Sequence, residues 1–76
     1  MKSKVIYFSK FGYGWVATVK ADNAQSAREA ATNQLIGENT PEYISEETEE
    51  IAINDVRYNV EAVYAFGQYN VFIDPA

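Results

Sequence analysis

Only one stretch of this chain spaces its small apolar residues as a helix does. It is "DNAQSAREAATNQLIG", Asp22 to Gly37, and runs rich in β-branched and aromatic residues flank it on both sides. A single helix of about four turns covers one face of a sheet and leaves the other bare. The pattern therefore predicts an α+β fold with a two-faced sheet, and a question about what the second face is for.

Local signals place the elements. "KVIYFSKF", Lys4 to Phe11, reads as a strand, and "GYG" supplies the glycines a tight reversal needs. "WVATVKA", Trp15 to Ala21, is the returning strand. Asp22 is the expected N-cap, Gln25 completes a capping box, and Gly37 stands where a C′ glycine belongs. Ala24, Ala27, Ala31 and Leu35 fall on one helical stripe, small enough for close approach to a sheet but poor in apolar volume.

Thr40-Pro41-Glu42 resembles a helix start and predicts a short helical turn. From Ile51 to Phe66 the chain reads as strand. Ile51 and Ile53 share one parity, whereas Val56, Tyr58, Val60, Ala62, Tyr64 and Phe66 share the other, so a bulge or tight turn is expected at Asn54-Asp55. Gly67-Gln68 should turn the chain into a last strand, Tyr69 to Ile73. The expectation is one domain over residues 1–76, ordered β-β-α-β-β: a four-stranded antiparallel sheet with one helix packed on one face.

Alternation then sorts the side chains. The helix side should take Val5, Tyr7, Trp15, Ala17, Val19, Val56, Tyr58, Val60, Tyr64, Tyr69, Val71 and Ile73. The opposite side should carry Ile6, Phe8, Val16, Val63 and Phe72 among Lys4, Lys10, Thr18, Lys20, Arg57, Asn59, Glu61 and Asn70. Those five apolar residues are candidates for a dimer face.

Composition narrows the chemistry. With 76 residues, 47% of them hydrophobic, the chain is expected to fold rather than remain disordered. It contains neither cysteine nor histidine. Disulfides, thiolate nucleophiles, imidazole bases and the usual zinc, copper and haem ligands are thereby removed. Asp55 and Glu61 lack the alternating oxygen ligands and central glycine of a calcium loop. No cofactor and no metal is expected. The glycines of "FGYGW" lack the third glycine and following helix of a nucleotide-binding loop. Carboxylates crowd into a segment with no apolar pocket to raise one pKa, which argues against an enzyme. No apolar run reaches the roughly 18 residues of a membrane helix and no signal peptide is visible, so a soluble, cytoplasmic protein is expected.

Charge is unevenly distributed. Residues 1–36 carry five basic side chains against Asp22 and Glu29, a net +3; residues 37–76 carry Arg57 against nine carboxylates, a net −8. Six glutamates fall within residues 38–50. A helix would present them at one per about 3 Å, close to the 3.4 Å phosphate spacing of a DNA strand, whereas an extended chain would manage one per about 7 Å. With so few lysines, direct nucleic-acid binding is not expected. A basic nucleic-acid-handling protein or complex is the expected partner, met by Glu38, Glu42, Glu46, Glu47, Glu49 and Glu50, with Tyr43 as an aromatic anchor.

"VKADNAQSAREAATNQL" leaving a strand, followed by "PEYISEETEEI" and another strand, resembles the small accessory proteins of phages and mobile elements. The overall plan is similar to that of some anti-CRISPR proteins. The resemblance implies a non-enzymatic inhibitor that works in the host cell cytoplasm and blocks the nucleic-acid site or a moving part of a host defence complex. The alternative is a homodimeric accessory subunit joined through the helix-free sheet face, with the acids serving solubility alone.

Overall fold

The computed structural model describes residues 2–36, 42–45, 50–53 and 55–76. Its elements are β1 (Lys4–Phe11), β2 (Gly14–Lys20), α1 (Ala24–Ile36), β3 (Glu42–Ser45), β4 (Glu50–Ile53), β5 (Val56–Ala65) and β6 (Gln68–Pro75). All six strands join one antiparallel sheet in the order β1-β2-β6-β5-β4-β3. The α+β class and the single helix among the described residues agree with the sequence reading. The four-stranded β-β-α-β-β order does not, because the segment expected as one strand from Ile51 is two, and Glu42 to Ser45 adds another.

The first and last strands of the chain reach their neighbours differently. β1 and β2 form a hairpin, and β3 to β6 form a meander whose last strand, β6, docks on β2. β2 and β3 therefore run in the same direction, and α1 connects them across β6, β5 and β4. Helix α1, about 20 Å long for its 13 residues, packs on β1, β2, β6 and β5. Its alanines decide how close it comes. Ala27 and Ala31 are fully buried against Ala17, Val19, Val60, Val71, Ile73 and Ile51, while Ala30 and Leu35 pack at the margin. Thr32 is buried as well, its hydroxyl donating to the carbonyl of Arg28 one turn earlier.

The helix starts one residue later than expected. Asn23, not Asp22, is the cap: its Oδ1 accepts from the Ser26 amide at 2.8 Å, and its carbonyl accepts from Ala27. Gly37 lies outside the described residues. Thr40-Pro41 does too, but Glu42 to Ser45 is strand rather than a helical turn, held by Glu42 opposite Ala52 and Tyr43 opposite Ile51. Near Asp55 the chain reverses tightly between the paired Ile53 and Val56, with Asp55 at φ 66.

Turns differ in their use of glycine. Between β1 and β2 only Gly12 needs a left-handed φ, of 60. Gly14 is required for another reason: a Cβ there would overlap the carbonyl oxygen of Ile73. The last hairpin turns at Phe66-Gly67 rather than Gly67-Gln68, since Ala65 pairs with Gln68. Both central residues have positive φ, 53 and 78, the signature of a type I′ turn.

Candidate binding site

One extra residue in β1 rearranges the faces. Val5 opposes Val19 and Tyr7 opposes Thr18, so Ile6 has no partner and a bulge forms. Beyond it the alternation is inverted. Phe8 opposes Ala17 and packs against the core, while Tyr7 joins Ile6 on the helix-free side. Phe8, expected on the dimer face, is thus a core residue, and Tyr7, expected inside, is 56% exposed. Lys10 likewise moves to the helix side, opposite Trp15. No parity argument could reveal this, because Tyr7 and Phe8 are adjacent aromatics and either satisfies the core pattern.

The remaining candidates for the helix-free face stand where alternation put them. Val16 pairs directly with Phe72, Phe72 with Glu61, and Val63 with Asn70. Tyr7 and Val63 stand in one row at either side of the Thr18–Asn70 pair, with Ile6 beside Tyr7, and Val16 and Phe72 fill the next row of that face, so the five make a shallow band across β1, β2, β6 and β5. Within it the Thr18 hydroxyl donates to Asn70 Oδ1 at 3.2 Å. Two lysines, Lys4 and Lys20, oppose each other at one end of the band. Glu61 and Asp74 stand at the other, on adjacent strands in neighbouring rows of the ladder. Sequence reasoning missed Asp74, for it lies beyond Ile73, where the last strand was expected to stop.

Of the acidic candidates, Glu42 and Tyr43 lie on β3 and Glu50 on β4, where it opposes Asn59 and Ser45. Glu38, Glu46, Glu47 and Glu49 fall outside the described residues. The topology places β3 and β4 at the sheet edge remote from Lys4, Lys10 and Lys20. β1 and β4 are four strand spacings apart, about 19 Å, more than twice the roughly 8 Å screening length at physiological salt. The basic and acidic halves of the sequence are thus also the two sides of the sheet. Because the described ends of the glutamate run are extended, the close charge spacing of a helical phosphate mimic is not available there.

On the helix side, a polar groove runs between the start of β1 and α1, lined by Lys2, Ser3, Val5, Glu29 and Asn33 and reaching Lys4 at the open edge of the sheet. Among the described residues no cluster of acids could hold a metal ion, and no buried side-chain nitrogen or oxygen lacks a hydrogen-bond partner. No described helix is long and apolar enough to cross a membrane. No family model, curated protein or solved structure matches this chain.

Proposed function

We propose that this protein is a non-enzymatic binding module that docks the acidic β3–β4 edge of its sheet on a basic, nucleic-acid-binding surface of a partner complex and occludes it. The reading rests on one observation above all: the strands that begin with Glu42 and Glu50 form the edge farthest from the protein's own lysines. Arg57 on β5, opposite Ala52, is the cation nearest this edge; with the lysines so remote, the carboxylates of residues 37–76 outnumber it nine to one and leave net negative potential for a partner. Complementary potential raises the encounter rate, and a few buried contacts then supply the affinity. An inhibitor of the anti-CRISPR kind, acting in a host cytoplasm, is the form that the sequence resemblance implies.

The test is capture of partners from host lysate on immobilised protein, compared with a variant carrying Glu42→Gln and Glu50→Gln. Screening lengths of about 30 Å at 0.01 M salt and about 3 Å at 1 M set the two conditions. A nucleic-acid-handling complex retained at low salt, shed at high salt and lost by the variant is the expected result. Addition of this protein should also displace nucleic acid from the captured complex. Capture indifferent to both salt and the glutamine substitutions would sink the reading.

A further inference from the structure

We propose that the helix-free face is the interface of a two-fold homodimer, in which Lys4 and Lys20 of one copy meet Asp74 and Glu61 of the other.

Charge on the face is divided between a lysine pole and a carboxylate pole, with Arg57, two residues before Asn59 on β5, the cation nearest the latter. Lys4 and Lys20 are directly opposed across β1 and β2, and like charges in such a pair repel. Glu61 and Asp74 sit at the far side of the apolar band, diagonal to each other on β5 and β6. One molecule cannot join these poles, because the band lies between them. A second copy turned end for end can.

Geometry supports this pairing. On a flat ladder with about 4.8 Å between strands and about 3.3 Å per residue, the in-plane two-fold that sets Lys20 over Glu61 passes near Thr18 and Asn70. The same rotation brings Lys4 to within about 4 Å of Asp74. It also sets the bulged pair Ile6 and Tyr7 over the gap between Val16 and Phe72. One operation therefore satisfies both charge poles and puts apolar surface on apolar surface, as an interface that faces its own copy requires.

Exposure agrees with this. Ile6, Tyr7 and Val63 are 48%, 56% and 44% exposed, uncommonly open for large apolar side chains sharing one face. The β3–β4 edge stays outside this interface, so each dimer would present two acidic edges.

Sedimentation equilibrium at low salt tests the proposal with three variants: Lys20→Glu, Glu61→Lys and the two combined. The symmetry makes each reversal act twice. At about tenfold per contact, either single change should weaken the dimer by about a hundredfold. The double swap should restore it, a recovery that damage to the fold would not produce, and far-UV circular dichroism should be unchanged throughout. A wild-type protein that stays monomeric at the highest attainable concentration would overturn the proposal. So would single variants that keep the dimer mass, or a double swap that does not recover it. Because neither residue belongs to the β3–β4 edge, failure here leaves capture of a basic partner unaffected, and failure of that capture leaves the dimer mass unaffected.

Discussion

The ammonium nitrogen of Lys10 sits 4.5 Å from the centroid of the Trp15 ring. The two residues are opposed across β1 and β2 on the helix side of the sheet, and on its far side Trp15 leans against Tyr58, ring centroids 5.6 Å apart. The lysine thus roofs an aromatic pair that α1 leaves half open. Such a cation–π contact at a partly exposed site contributes about 0.5–1 kcal/mol. Lys10→Gln should lower unfolding free energy by about that much and alter the emission of the protein's one tryptophan, whereas Lys10→Arg should preserve both. Urea denaturation followed by fluorescence checks it; equal stability for the glutamine variant would show that the charge is immaterial.

Gly14 and Gly12 offer a sharper contrast. A methyl group at Gly14 would meet the Ile73 carbonyl, with the Asp74 Cα at 3.1 Å, at the seam where β6 docks on β2. Backbone cannot swing aside as a flexible side chain can. Gly14→Ala should therefore cost about 2–3 kcal/mol, the range of an overpacked core. Gly12 has positive φ but open space around its missing side chain, so Gly12→Ala should cost only about 1 kcal/mol of backbone strain. Thermal melts that rank the two the other way would refute the clash.

Phe66 stands at the first central position of its turn with φ 53 and its side chain wholly in solvent. A bulky residue gains nothing there: it is strained in the left-handed region and buries no surface. Asparagine is the residue that type I′ turns prefer before glycine. Phe66→Asn should raise stability by about 0.5–1 kcal/mol, read as a higher melting temperature. A lower one would mean that the ring holds contacts the fold needs.

Elements that were legible in the sequence are those fixed by neighbours. The β1–β2 hairpin follows from two glycines between aromatic runs, and α1 from its alanine spacing. Where two local solutions were equally good, the sequence did not choose. Asp22 and Asn23 are both competent caps, and the cap fell to Asn23. Glutamates hid β3, because they are poor strand formers; yet an edge strand tolerates charge, and pairing with β4 supplies the order. The surfaces needed topology. Alternation sets Lys20 and Glu61 on one face, but how far apart they stand follows only once β6 is known to bridge β2 and β5, a pairing between residues about fifty positions apart that no local pattern announces.

The bulge at Ile6 is the smallest feature with the widest consequence, and it can be removed. Deletion of Ile6 would make Val5–Val19 and Tyr7–Thr18 successive pairs of an uninterrupted ladder, leaving every later pair of β1 in place. Phe8 would stay in the core, Lys10 over Trp15, and Tyr7 outside. A deletion inside a strand normally turns all side chains beyond it to the wrong face; this one should not. Unfolding free energy should change by no more than about 1 kcal/mol, the scale of a surface substitution plus local relaxation, and the tryptophan emission should stay as it is. What the bulge provides is a kinked outer edge, and β1 is an exposed one. Without it the seven residues left of the original eight in β1 present a straighter template to other chains, so the deletion variant should aggregate faster on heating while unfolding at nearly the same temperature. Loss of the native emission at rest would mean instead that the extra residue is needed to set the register of β1.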